Sequence, residues 1–100
     1  MSLIFIKNGK VEFRKENGSL IRTIGNGKTI SASINSDYSL VLLILIDGKV
    51  ELRKDSGSLI RNIGNGHSKS ALFHGSDILL DLENGKKELR KESGSLIKTF

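Results

Sequence analysis

Three short segments of the chain alternate between apolar and polar residues with a period of two. Val11 and Phe13 alternate with charged residues in the first, and Val50 and Leu52 repeat the pattern in the second. This alternation predicts β-strands with one buried face. Lys87 takes the place of valine in the third segment, so we expect that position to be less buried. No helical period of 3.6 holds anywhere, and the 11 glycines would interrupt helices.

One segment breaks the alternation, because residues 40–46 in SLVLLILI, 39–46, are all apolar. The run is far shorter than the roughly 20 residues that a membrane-spanning helix needs. A short, continuous apolar run between turn residues is typical of a strand buried on both faces. We therefore expect another layer of structure on each side of it, since an exposed strand of this composition would aggregate.

Internal repetition is the strongest signal in the chain. The segments NGKVEFRKENGSLIRTI, DGKVELRKDSGSLIRNI and NGKKELRKESGSLIKTF, which begin 39 and 37 residues apart, share nine of 17 positions. Gly25-Asn26-Gly27 also recurs as Gly64-Asn65-Gly66. The sequence thus predicts a single repeat domain over residues 1–100. Its parts are a partial unit, 1–24, which lacks its first segment, and two full units, 25–63 and 64–100.

Each full unit is predicted to contain four antiparallel strands, as the last one illustrates. Its predicted strands are 68–73, 78–83, 86–91 and 95–100. A turn spans His74 to Asp77, and Ser93-Gly94 forms another. Asn84-Gly85 favours a two-residue hairpin turn, because both residues tolerate a positive φ. The fold class is therefore all-β, with 11 strands in antiparallel four-stranded repeats of about 37–39 residues.

A four-strand unit of this length, with DG or NG before a GKVELRK-type strand, resembles the blade repeats of bacterial β-propellers of the broad WD40-like kind. The resemblance covers essentially all 100 residues. The Trp-Asp dipeptide of that family is absent, and Arg53-Lys54 stands at the corresponding strand end. Gly66-His67 is the only echo of the family's Gly-His signature. The resemblance implies just under three propeller blades in the chain.

Closed propellers typically contain 4 to 8 blades, so one chain cannot close a ring. We expect a head-to-tail homodimer that completes a six-bladed ring, with one thin blade per chain lacking its innermost strand. Two alternatives remain open. One is an open β-meander, or another layered sheet protein, that dimerises face to face. The other is a fragment of a longer propeller.

Composition excludes several chemistries and leaves others open. The chain contains no cysteine, which excludes a disulfide framework, a zinc finger and a thiol nucleophile. Residues 1–7, MSLIFIK, are too short for a signal peptide. We therefore expect a soluble, cytoplasmic protein without a membrane segment, or one whose targeting signal has been removed.

The net charge of +5 raises the question of nucleic-acid binding. Arg14-Lys15, Arg53-Lys54 and Arg90-Lys91 recur at the same place in each unit and would form a basic band. Acidic neighbours offset the charge, and lysines at strand edges also prevent edge-to-edge pairing of sheets. Aromatic residues that could stack on bases are scarce. We favour protection of the sheet edges and do not expect nucleic acid as a partner.

No catalytic residue, metal site or cofactor is predicted. His67, His74, Asp77 and Asp81 match no metal-ligand spacing, and HGSD is ordinary turn sequence. No GxSxG nucleophile elbow is present.

The two Gly-Asn-Gly segments are predicted to carry the chain from one blade to the next. No GKS or GKT follows them, and no predicted helix begins there, as a phosphate loop would require. Because propellers usually bind through loops at the ends of the ring, these segments are the best candidates for a ligand site. The candidate ligand-binding residues are Asn26, Lys28, Asn65 and His67.

These features together predict a non-enzymatic β-propeller-like module that self-assembles and serves as a protein-binding or scaffold unit. The first alternative is a lectin-like propeller that binds a small molecule or carbohydrate. For that function, Tyr38 is the only stacking ring besides phenylalanine, because tryptophan is absent. The second alternative is nonspecific nucleic-acid binding through the basic band.

Overall fold

The computed structural model describes residues 3–25 and 27–100, and its strands form three antiparallel sheets. Sheet 1 contains β1 (Leu3–Lys7), β2 (Lys10–Arg14) and β3 (Leu20–Ile24). Sheet 2 contains β4 (Thr29–Ile34), β5 (Leu40–Leu45), β6 (Val50–Lys54) and β7 (Leu59–Ile63). Sheet 3 contains β8 (Ser68–His74), β9 (Asp77–Leu82), β10 (Lys87–Lys91) and β11 (Leu96–Thr99). The predicted all-β fold class with 11 strands is confirmed.

Each sheet is a simple meander in which neighbours in sequence are also neighbours in space. The three sheets stack in chain order, with sheet 2 between the other two. None of the described residues belongs to a helix that could cross a membrane. The assignment of residues 1–100 to one repeat domain, with the unit boundaries given above, stays a prediction.

Strand β5 is buried on both faces, as its continuous apolar sequence predicts. Val41, Leu42, Leu43 and Ile44 are all fully buried. Leu43 packs into the core between sheets 1 and 2, whereas Leu42 and Ile44 pack into the core between sheets 2 and 3. The pleat sends successive side chains to opposite faces, so one apolar run serves both cores.

Each core joins the face of one sheet to the opposite face of the next. We call the face that packs on the next sheet along the chain the forward face, and the other the backward face. In the first core, the forward face of sheet 1 supplies Val11, Phe13 and Ile24, and the backward face of sheet 2 supplies Val41, Leu43 and Leu45. In the second core, sheet 2 supplies Leu42, Ile44, Val50, Leu52 and Ile63, and sheet 3 supplies Ala71, Ile78 and Leu80.

Lys87 is less buried than its counterparts, as predicted. Its side chain is 51% exposed, whereas Val11 and Val50 are 0% and 1% exposed. Lys87 pairs with Asp81 across the β9–β10 hairpin, as Val50 pairs with Ile44 in sheet 2. Two apolar residues of the forward face of sheet 2 are thus replaced by a charged pair in sheet 3.

The prediction of a two-residue turn at Asn84-Gly85 is wrong. Gly85 has a φ of +87°, but Asn84 is not in the positive-φ region. The backbone N–H of Leu82 donates to the carbonyl of Lys86, which leaves three residues in the loop. The carboxamide oxygen of Asn84 accepts a hydrogen bond from the Lys86 N–H at 3.0 Å, and this bond stabilises the non-inverted turn. The predicted geometry occurs instead at Asn8-Gly9, where both φ angles are positive.

Candidate functional site: crossing loops and uncovered sheet faces

The loops that carry the chain from sheet to sheet lie directly over the hairpins of the preceding sheet. The Gly9 carbonyl accepts a hydrogen bond from the Thr29 N–H at 2.8 Å, and the Gly48 carbonyl accepts one from the Ser68 N–H at 3.0 Å. A Cβ atom on Gly48 would lie 2.5 Å from the Gly66 carbonyl oxygen, so only glycine fits there. The crossing loops are therefore tightly positioned on the hairpins beneath them.

Two of the four predicted ligand residues come together in one pocket. Asn65 and His67 line a pocket of about 440 Å³, together with side chains of the β9–β10 hairpin and of β11. Glu83, Lys86 and Glu88 supply its charges. The pocket offers a polar ligand hydrogen-bond donors and acceptors as well as charges of both signs.

Lys28, a third predicted residue, does not line that pocket. Lys28 lies in the preceding crossing loop, where its carbonyl accepts from the Ile46 N–H at 2.8 Å. The His67 carbonyl accepts from the Glu83 N–H at 2.9 Å in the same way. Lys28 and His67 are thus equivalent positions in successive units. Asn26 lies outside the described residues.

The recurring arginines of the predicted basic band have an internal structural role. Arg53 pairs with Glu51 at 2.9 Å and donates from Nη1 to the Gly57 carbonyl at 2.7 Å. The same triad is formed by Arg14, Glu12 and Gly18, and by Arg90, Glu88 and Gly94. Each arginine closes the turn between the last two strands of its sheet. In each triad the glutamate offsets the charge of the guanidinium group, and the glycine carbonyl accepts a further hydrogen bond from it.

The lysines of the same band remain exposed. Lys15, Lys54 and Lys91 each lie at a strand end with the side chain in solvent. Their backbone N–H groups donate to the carbonyls of Ser19, Ser58 and Ser95 at 2.9 Å. These lysines end or follow β2, β6 and β10, which are inner strands of their sheets, so the expectation that they protect sheet edges is wrong.

The histidines and aspartates considered as metal ligands are dispersed. His74 and Asp77 pair across the β8–β9 hairpin, whereas Asp81 lies 3.3 Å from Lys87 and 3.8 Å from Lys69. Within residues 3–25 and 27–100, no group of three or more metal-ligating side chains comes together.

One carboxylate has a shifted pKa, and it lies in the β4–β5 turn. The Ser39 hydroxyl and backbone N–H both donate to Asp37, and these hydrogen bonds hold the pKa of its carboxyl group below the usual value. Asn35 accepts from the N–H groups of Ser39 and Leu40 in the same turn. The network orders an exposed turn and has no counterpart in the shorter β8–β9 hairpin.

The outer faces of the stack are apolar and uncovered. The backward face of sheet 1 presents Leu3 and Phe5, which are 40% and 49% exposed. The forward face of sheet 3 presents Leu79, Leu89 and Phe100 around a depression of about 260 Å³. Phe100 is 61% exposed. Because one chain cannot close a ring, its terminal units are expected to be uncovered, but the unit count does not identify these residues. Aligning Phe100 with Ile24 and Ile63 identifies Phe100.

Antiparallel meanders that pack face to face in chain order define a stack of β-propeller blades. A comparison with solved structures supports this class. The chain is similar to Sqt1 from Saccharomyces cerevisiae, with a TM-score of 0.75 and 17% sequence identity. The match covers 92% of this chain but 27% of Sqt1. The likeness supports a propeller-blade fold. No protein-family profile matches the sequence, and the search of curated proteins finds no match.

Proposed function

We propose that the chain is a non-enzymatic β-propeller-like module that self-assembles and serves as a protein-binding or scaffold unit. One observation carries this proposal: both outer faces of the stack expose large apolar side chains, including Phe5 and Phe100. Contiguous exposed apolar surface of this kind marks a site of association. The sheets themselves supply the rigid support from which loops can bind a partner.

A head-to-tail homodimer satisfies both faces at once. Each chain contributes three sheets, so two chains contribute six, which lies within the 4 to 8 blades of closed propellers. One sheet of each chain has three strands instead of four. The proposed ring therefore contains two thin blades on opposite sides.

The absolute mass in solution tests self-assembly. Light scattering after size exclusion should give twice the 11.0 kDa mass of the subunit. Dilution should shift the equilibrium toward the subunit mass, because the faces are joined noncovalently. A mass that stays at one subunit up to high concentration would contradict self-assembly.

The pocket at Asn65 and His67 favours a second candidate function, the binding of a small polar molecule or carbohydrate. Its volume of about 440 Å³ lies within the range of small-molecule sites. A glycan array on the wild-type chain provides the test. Binding should disappear in His67→Ala and persist in Lys28→Ala, because Lys28 occupies the equivalent position outside this pocket. Equal loss in both variants, or no bound glycan, would contradict this function.

A further inference from the structure

We propose that the forward face of sheet 3 docks on the backward face of sheet 1 of a second copy, with Phe100 packed over Gly18. This inference rests on the proposed self-assembly and specifies its surfaces and register. The two interfaces within the chain indicate that a second copy covers these faces. Both interfaces join a forward face to a backward face in one recurring arrangement.

The recurring arrangement places the last apolar residue of one sheet against a glycine of the next. A Cβ atom on Gly57 would lie 2.6 Å from Cγ2 of Ile24, and one on Gly94 would lie 3.9 Å from Cδ1 of Ile63. The glycine, which lies in the turn closed by the arginine triad, thus leaves room for the side chain from the preceding sheet.

The turn glycine and the last apolar residue each lack this packing partner at one end of the stack. Apart from Gly18 itself and its two chain neighbours, no atom of residues 3–25 and 27–100 lies within 4 Å of a Cβ placed on Gly18, the first member of the glycine series. Phe100 is the last member of the apolar series and is 61% exposed. One outer face of the stack thus has an unfilled position, and the other has an uncovered side chain. A second copy in the internal register brings them together.

The arginine triads give independent support for this register. Glu51–Arg53 and Glu88–Arg90 lie on backward faces that a preceding sheet covers, and their side chains are 11% to 16% exposed. Glu12 and Arg14 form the same pair on the uncovered backward face of sheet 1, with Arg14 30% exposed. The uncovered face therefore already carries the polar arrangement that the internal interfaces bury.

Charged residues replace apolar ones along one edge of the proposed interface. Asp81 and Lys87 stand where sheet 2 has Ile44 and Val50. By its register beside the β1–β2 hairpin, Lys7 stands where sheet 2 has Leu45. An apolar centre with a charged rim is typical of an interface between separate chains. Asp81 and Lys87 lie beside the β9–β10 hairpin, and Lys7 lies beside the equivalent β1–β2 hairpin. The three charged side chains therefore come together when the faces dock.

Cysteine cross-linking tests the register directly, because the chain has no native cysteine. Chains carrying Gly18→Cys are mixed with chains carrying Phe100→Cys under mild oxidation. As a positive control, Ile24→Cys with Gly57→Cys in one chain should form an intramolecular disulfide. The ideal Cβ of Gly57 lies 3.9 Å from Cβ of Ile24, which is suitable for a disulfide.

The mixture should give a covalent dimer that contains one chain of each kind, and each variant alone should give little. Efficient cross-linking of Phe100→Cys with itself would overturn the inference in favour of face-to-face packing. If light scattering shows a dimer but the mixture does not cross-link, the register is wrong while self-assembly stands. If the chain is monomeric, self-assembly itself fails.

A second pair of variants keeps the inference testable if cysteine is not tolerated at Gly18. Phe100→Asp should raise the dimer Kd at least about tenfold, because it places a charge at the position where Ile24 and Ile63 enter the two internal cores. Leu59→Asp is the matched control: Leu59 is also exposed, at 50%, but it lies outside the proposed interface. The control should leave Kd within about twofold. Equal effects of the two variants would overturn the inference.

Discussion

At the scale of single residues, three equivalent hairpin glycines show what the stacking of sheets demands. Gly9, Gly48 and Gly85 all have positive φ angles. The first two lie beneath a crossing loop, whereas a Cβ on Gly85 would have no neighbour within 4 Å. Backbone conformation and close approach can therefore be separated at the same position of the repeat.

We predict that Gly48→Ala destabilises the chain by about 2 kcal/mol more than Gly85→Ala. Their φ angles are +88° and +87°, so the conformational cost of alanine, about 1 kcal/mol, is common to both. Only at Gly48 must the Gly66 carbonyl move away from the new methyl group. Urea unfolding monitored by circular dichroism gives both free energies of unfolding. Equal losses would show that the crossing loop yields without cost.

The arginine triads lead to a second prediction. Arg53→Lys should lower the free energy of unfolding by about 1 to 2 kcal/mol, because lysine cannot bind Glu51 and the Gly57 carbonyl with one planar group. Arg14→Lys should cost less, since that side chain is 30% exposed rather than 16%. Thermal unfolding of the two variants provides the comparison. A larger loss for Arg14→Lys would contradict the assigned role of burial.

The sequence reveals that these arginines recur but not why. Edge protection, the interpretation that the sequence favours for the Arg-Lys pairs, fails for lysines such as Lys54, because β6 is paired on both sides within its sheet. The arginine's acceptor is a backbone carbonyl four residues away, which only the folded turn brings within 2.7 Å. Likewise, Asn8 and Asn84 each precede a glycine, but only Asn8 adopts a positive φ. Residue type permits both turns and therefore does not distinguish them.

At the scale of elements, β5 joins two cores through one strand. Its apolar run and lack of alternation are sufficient to predict burial on both faces, because period-two geometry leaves no solvent-facing position. Strand positions follow similarly from alternation and turn residues. Which opposing residues fill each core could not be predicted, since that depends on how neighbouring sheets are offset.

We predict that Leu43→Ala and Ile44→Ala each destabilise the chain by about 3 kcal/mol, because each leaves a cavity in a different core. Ile46→Ala is the control within the same apolar run, since Ile46 is 73% exposed. It should change the free energy of unfolding by less than about 0.5 kcal/mol. Chemical denaturation of the three variants checks this. A large loss at Leu43 alone would show that the second core contributes little.

At the scale of the whole molecule, the candidate sites differ in how well the sequence alone predicts them. Asn65 and His67 were identified from loop position, and they do share a pocket. The resemblance of the two loops places Lys28 in the same predicted site. Equivalent loops of successive sheets lie at different places in the stack, so Lys28 does not share that pocket. The uncovered faces follow from counting units, whereas the proposed position of Phe100 over Gly18 follows only from the packing of Ile24 and Ile63 on their glycines.

The charged edge of the uncovered faces leads to the last prediction. Lys69 and Lys87 flank Asp81 on one face, and Lys7 lies at the corresponding edge of the other, so docking brings like charges together. Added salt should therefore lower the dimer Kd. Lys87→Val, which restores the residue found at Val50, should lower Kd about fivefold and reduce the salt dependence. Lys54→Val, at an exposed strand end outside the proposed interface, should change neither. Sedimentation equilibrium at several salt concentrations measures all three chains. A dimer that weakens with salt or with Lys87→Val would contradict the predicted repulsion, and a Kd that does not respond to either would place these lysines outside the contact.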